Sequence, residues 1–453
     1  MQNSQTNQTA KQLFDATEYL LKKAKELGAE HADCACNASQ SLGISVRLGE
    51  LENVEREESL AAGLRVIIGK KQAGASTSAL TKNALDELAT RVVAMAKMAA
   101  EDKYCTLPDK DLMASEIIDL KMRDETAPDI NYLEKIALEC EAGAQSIKGI
   151  SNTAGCGSQW GSSDVVYGSS NGFIGGYGGT SWGLGIAAIA QDGDDMERDY
   201  ESTSTRFLKT LENAREIGEK AGHKTVARLG SKKMASTKAP VILHTRVARS
   251  MLGLLISAIS GSSVARGVSF LRDALETQIF PENITIYDDP LLIGGWGSRP
   301  FDGEGVKVSK QEIIQNGVLT SWLLNSSAAL QLGLKTNGHA SMNPGGSPGV
   351  GVSNFILPPT NQSLDDLIKQ AGNGLLVTEA MSPSFNPNNG DYSVGVSGFE
   401  IVNGQKTGPV SEITIAGNVK DIFKTIIAAD DNEHKSSIDC PSLLIPTMTI
   451  AGA

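Results

Sequence analysis

The sequence predicts an α+β protein: an α+β N-terminal half followed by a β-rich C-terminal domain. Three observations carry that reading. Helical periodicity alternates with period-two stretches through the first half. Glycine is abundant, at 47 of 453 residues, while aromatics supply only 5%. Asn171-Gly172, Asn316-Gly317 and Asn403-Gly404 punctuate apolar runs, and Asn-Gly is the dipeptide that two-residue hairpins favour. The length exceeds what one core usually serves, so several domains are expected. We place them at 11–103 (α+β), 129–230 (α+β with long strands) and 238–453 (β-rich).

The elements follow in order. Residues 11–27 have helical spacing and stop at Gly28. HADCACNAS (31–39) and the alternation Leu42, Ile44, Val46, Leu48 read as strand. Residues 60–80 read as a hairpin turning at Gly69-Lys70-Lys71, and Thr81 is a candidate cap for a helix over Lys82–Ala100. Tyr104–Pro128, charged and Pro-containing, reads as a linker. A helix over Asn131–Ile147 precedes long strands that turn at Asn171-Gly172 and Asp192-Gly193. The Gly-rich run between those turns lacks the GK[ST] of a phosphate loop, so it reads as closely packed strand. A charged helix is expected over Leu208–Leu229. Beyond it come hairpins at Asn316-Gly317 and Asn403-Gly404, a Gly/Pro-rich loop (343–354) long enough to line a groove, helices at Ser363–Ala371 and Asn418–Ala428, and a terminal strand in 441–450.

Bulk properties exclude some functions. The net charge of -12 argues against nucleic acid as the main partner, because phosphate binding needs a basic face. MQNSQTNQTAKQ is polar, so no secretory leader is expected there. The apolar run Ser250–Ala265, bounded by Arg249 and Arg266, is short of the roughly 20 residues a membrane span needs. The six Cys show no CxxC. Cys34 and Cys36 read as small core residues on one strand face, and a reducing cytoplasm fits.

The strand Pro240–His244 runs into an amphipathic helix, the frame on which a two-histidine zinc peptidase carries its ligands and its general-base Glu. Yet 245–274 contain no His, Glu or Cys. The five His (31, 223, 244, 339 and 434) form no i, i+4 pair.

The C-terminal half resembles the TldE (PmbA) branch of the TldD/PmbA peptidase family. The matching blocks are SGSSVARGVSFL (260–271), DDPLLIGGWGSRPFDGEGV (288–306), NGVLTSWLLNSSAALQLGLKTNGHA (316–340), GLLVTEAM (374–381), GDYSVGVSGFEIVNGQ (390–405), PVSEITIAGNVKDIF (409–423) and PSLLIPTMTIAG (441–452). The resemblance implies that one branch carries HExxxH and a distant Cys for zinc, and that this branch lacks them. By that alignment the ligand positions hold Arg249 and Leu254, the Glu position Ser250, and an internal Gly is Gly253. Arginine has no acceptor and leucine no donor atom, so the window is degenerate. Gly253 is expected at a close approach that valine would disturb. SPSFNPNNG (382–390), Val394 and Trp296 depart from the branch pattern, which bears on substrate preference.

The resemblance therefore implies no cofactor in this chain, no catalytic residue of its own, zinc on a TldD-type partner, and unfolded peptides as substrates. Groove or interface candidates are Arg299, Asp302 and Glu304 in and beside FDGEG, His339 in NGHA, and Asp391 and Tyr392 in GDYS. FDGEG also reads as a plain polar turn. Cys440 lies near the place of the active branch's zinc Cys and reads as vestigial. Two other readings stay open: a metallopeptidase active alone through non-motif ligands, and a non-enzymatic peptide-binding or regulatory protein, for example one acting on a topoisomerase.

Overall fold

The computed structural model describes residues 2–452, with side chains from residue 8 onward. Met1, Ala453 and the side chains of the polar N-terminal stretch up to residue 7 lie outside the described residues. The N-terminal half comprises α1 (Gln2–Glu26), β1 (His31–Arg47), β2 (Glu50–Ile68), β3 (Lys71–Thr77), α2 (Lys82–Met98), α3 (Ile130–Gln145), β4 (Ile150–Ser169), β5 (Ile174–Asp192), β6 (Asp195–Thr205) and α4 (Ala214–Val226). Its strands form one antiparallel sheet in the order β3-β2-β1-β4-β5-β6. The two α+β regions distinguished in the sequence thus share a sheet, through a β1–β4 ladder running from Asp33↔Ser169 to Val46↔Cys156.

Parity explains how the helices cover it. The even residues of β1 (Cys34, Cys36, Leu42, Ile44, Val46) face the helices. Cys34 and Cys36 pack with Leu13 and Leu20 of α1 and Leu88 and Val92 of α2. Leu42, Ile44 and Val46 pack with Leu133 and Ile136 of α3 and Ile217 of α4. Thr81 caps α2, its hydroxyl accepting from Ala84 N at 3.4 Å. The helix expected over 208–229 is a short 3-10 turn, Leu208–Thr210, followed by α4. The first half of β2, rich in Glu, is a strand that propensity does not announce; it pairs with β1 while its side chains stay in water.

The C-terminal half comprises β7 (Thr237–Leu243), α5 (Thr245–Ile259), α6 (Gly261–Ala265), β8 (Ile286–Asp288), β9 (Gln311–Gln315), β10 (Val318–Leu319), α7 (Ser326–Leu332), β11 (Ala340–Ser341), β12 (Gly349–Val350), β13 (Phe355–Ile356), α8 (Leu364–Ala371), β14 (Gly374–Ala380), β15 (Ser384–Phe385), β16 (Asp391–Val402), β17 (Gln405–Asn418), α9 (Val419–Thr425), β18 (Ile427–Ala428), β19 (Ile438–Asp439) and β20 (Leu443–Ala451). The order β14-β7-β20-β17-β16, with β14 pairing back to β16, closes a five-stranded ring. Closure removes free edges. Asn316-Gly317 and Asn403-Gly404 both have positive φ at both positions, the geometry of a type I′ hairpin turn. Ser363 caps α8 in a capping box with Asp366.

Two stretches depart from their sequence reading. Residues 104–128 form a strap rather than a loose linker: Gly294 donates to Leu120 O, Lys307 N to Leu112 O, and Thr180 N to Met122 O. The 343–354 loop docks on the N-terminal sheet. A Cβ on Gly63 of β2 would come within 2.1 Å of Gly345 N, so only glycine permits the approach.

No helix among the described residues is long and apolar enough to cross a membrane.

Candidate functional site

α5 borders an open groove of about 520 Å³. The helix leaves β7 at His244, whose ring nitrogen accepts from Arg246 N at 3.4 Å as the N-cap. Its buried stripe (Val247, Met251, Leu252, Leu255) faces the core. The opposite side presents Arg249, Ser250 and Gly253 to the groove, whose far wall includes Thr378–Met381 and Tyr392. Arg249 and Ser250 are exposed. Nothing lies within 4 Å of a Cβ built on Gly253, which corrects the expected close packing: this glycine opens the groove floor. Leu254 packs against the hydrophobic core. Tyr392 is buried, and its burial pushes the hydroxyl pKa up to about 12.

Both halves build the groove. Arg246 pairs with Asp199 of β6 at 2.8 Å and lies 3.9 Å over the Tyr200 ring. Arg228, just beyond α4, pairs with Glu197 at 3.0 Å and with Glu379 of β14. Reading the sequence alone misses Asp199, Tyr200, Arg228, Arg246 and Glu379. Their spacing carries no signal, because each pair joins segments distant in the chain.

These residues do not fit a zinc ion. Arg249 is a permanent cation, Leu254 faces the core, and Ser250 has no His or Cys neighbour along the helix. Cys440 lies close by, its carbonyl accepting from Thr245 Oγ1 at 2.7 Å. Its thiol is buried and directed to Pro441 O at 3.4 Å; burial, then Asp439 and Asp431, raises its pKa far above normal, opposite to what a thiolate ligand needs. Among the described residues no group of three or more His, Cys, Asp and Glu side chains is placed to hold a metal.

The remaining candidates lie elsewhere. Asp302, Glu304 and His339 are buried where the two halves meet. Asp302 accepts from the N–H of Glu304 (2.9 Å), Val306 (2.9 Å) and Ala340 (3.1 Å). Glu304 accepts from Ser326 N and Oγ, both at 2.8 Å. Burial, and then the Asp302 carboxylate, pushes the Glu304 pKa up to about 8. Half-buried Arg299 donates to Ala340 O and Gly338 O. His339 donates through Nδ1 to Asn337 Oδ1 at 2.9 Å, since the Asn337 amide NH₂ is already committed to Ser321 and Trp322. FDGEG is therefore a polar turn, but an internal one, so Asp302, Glu304 and His339 line no open groove. Exposed Asp391 holds the Asn389 and Asn418 amides at 2.7 and 3.0 Å, stapling the 386–391 loop to the start of α9. Of the six groove or interface candidates, only Tyr392 shares the groove with the α5 window.

Residues 32–96, 125–229 and 236–452 match, in turn, domain 1, the central domain and the C-terminal domain of the PmbA/TldA metallopeptidases. The chain belongs to the PmbA/TldD metallopeptidase family. Within it the chain falls in the PmbA (TldE) branch. It is 37% identical to Metalloprotease PmbA of Escherichia coli O157:H7 over 94% of this chain and 93% of that protein. It is 36% identical to a PmbA homolog of Haemophilus influenzae, covering 97% and 96%. The fold matches TldE from Thermococcus kodakarensis with a TM-score of 0.82 at 20% identity, over 96% of this chain and 100% of that one. In this PmbA-type chain, the helix that carries the degenerate window also lines a groove that both halves share.

Proposed function

We propose that this chain is the metal-free subunit of a cytoplasmic, two-subunit TldD–TldE zinc peptidase that trims or degrades unfolded peptides. The observation that carries the reading is the α5 window: its side chains form no zinc site, yet Arg249, Ser250 and Gly253 face an open groove built by both halves of the chain. The zinc and its water chemistry belong to a TldD-type partner. The contribution of this chain is to hold and orient extended peptide and to exclude folded protein from the partner's site.

The test is zinc content of the untagged chain, alone and mixed with a TldD-type partner, together with hydrolysis of an unfolded peptide. The expected result is almost no zinc on this chain, with metal and hydrolysis only in the mixture. One chelatable zinc per chain, with hydrolysis by the chain alone, would overturn the reading in favour of a self-sufficient metallopeptidase. Unchanged hydrolysis by the partner without this chain would favour a separate regulatory role.

A further inference from the structure

The groove beside α5 contains one formal charge that the described chain does not use. Arg246 is committed to Asp199 and Tyr200, and Glu379 to Arg228. Arg249 donates only through Nε, to Arg246 O at 3.3 Å, and among the described residues no carboxylate reaches ion-pair distance of its guanidinium. Its surroundings in the groove are otherwise apolar or neutral, including Val247, Pro383, Tyr392, Ile438 and Met381, a residue that is 77% exposed. A lone guanidinium whose two terminal NH₂ groups are free at an apolar groove matches a single carboxylate, which that edge grips bidentately.

We propose that this groove binds the C-terminal end of a short apolar peptide, with Arg249 holding the terminal carboxylate. Gly253, one turn along and without a side chain, leaves room for peptide backbone against the helix. The groove volume of about 520 Å³ falls within the range of small-ligand sites. The choice of a terminal carboxylate rests on the peptidase reading. Hydrolysis of a peptide bond adds water, leaving the acyl half as a carboxylate and the other half as an ammonium, so a peptide-cutting assembly continually makes such ends.

The experiment uses the full-length chain and an N-terminally fluorescein-labelled apolar hexapeptide in three forms: free acid, C-terminal amide, and C-terminal amide with one internal glutamate. Fluorescence anisotropy is expected to show the free acid binding about tenfold more tightly than either amide. Arg249→Ala should bring the acid to the affinity of the amide, Arg249→Lys should keep part of the preference, and Arg249→Glu should reverse it. An unchanged thermal unfolding temperature for these exposed-site variants ties the loss to the contact. Equal binding of acid and amide, a glutamate amide that matches the acid, or no binding of any form would overturn the proposal. Hydrolysis by the mixture with a TldD-type partner is read separately. Acid-selective binding without hydrolysis leaves this site standing and removes the peptidase reading; hydrolysis without acid selectivity does the reverse.

Discussion

The joint between the two halves and the groove beside α5 use charge in opposite ways. In the joint, Arg65 and Asp33 pair with side chains only 4% and 7% exposed, and the Tyr167 hydroxyl adds a contact to Asp33 at 3.3 Å. Asp302 and Glu304 take backbone and hydroxyl donors next to them. These buried groups are satisfied internally: Arg65 and Tyr167 tie Asp33 to neighbouring strands of the N-terminal sheet, and Asp302 and Glu304 fix turns within the C-terminal half. In the groove, Arg249 stands in water with a single backbone contact. The lesson is that charge in a sequence does not declare its use. Buried charge must be satisfied by the chain itself, whereas exposed charge beside a concavity is free for a ligand.

The largest expected effect breaks the buried ion pair. Asp33→Ala leaves the Arg65 guanidinium buried without its carboxylate, at a cost of about 3–5 kcal/mol. Arg249→Ala, at an exposed position, should stay within about 0.5 kcal/mol of the parent. Denaturant unfolding of both variants checks the contrast. Equal midpoints would show that the buried Asp33–Arg65 pair does not hold β1 to β2.

A second effect, on the order of a few kcal/mol, sharpens the comparison through pH. The Glu304 carboxyl has its pKa raised from 4.5 to about 8. Between those values the unfolded chain releases this proton while the folded chain keeps it. The folded state therefore binds more protons, and the Glu304 contribution to stability falls as pH rises from about 4.5 to 8, then levels off. Glu304→Gln is neutral throughout and still offers Ser326 an acceptor. Unfolding temperatures of parent and variant, measured from pH 5 to 9, should diverge in favour of Glu304→Gln toward the alkaline end. Parallel curves would mean that Glu304 is not held neutral by burial.

Local features were legible in the sequence and non-local ones were not. The Asn316-Gly317 and Asn403-Gly404 turns and the Thr81 cap depend on neighbouring residues, and each formed where its chemistry required; the helix expected from Ser363 starts at Leu364, with Ser363 as its cap. The shared sheet depends on β1 meeting β4, and the Asp33–Tyr167 contact spans 134 positions; period-two alternation says that a strand exists but not which strand it joins. FDGEG shows the same limit. Its composition reads as a surface turn, and only the docking of the two halves buries it. The degenerate window was legible as an absence of ligands, but the groove in front of it needed β6 and β14, whose residues carry no motif.

The smallest effect tests the groove floor. Glycine inside a helix costs roughly 0.5–1 kcal/mol relative to alanine, because its unfolded chain has more freedom to lose. That cost is usually repaid by a close approach, as at Gly218 of α4, where a Cβ would come within 1.8 Å of Cys140 O. Gly253 has no such neighbour: a Cβ there meets nothing within 4 Å, and its backbone is helical. Gly253→Ala should therefore raise stability by roughly 0.5–1 kcal/mol, the opposite of a packing glycine. The same methyl would project into the groove, so peptide binding should weaken while the fold strengthens. Calorimetry and peptide titration on the one variant read both signs. A destabilised Gly253→Ala would place a neighbour over the groove floor and make the groove a closed packing surface; a stabilised variant with weaker binding assigns the open glycine to the ligand.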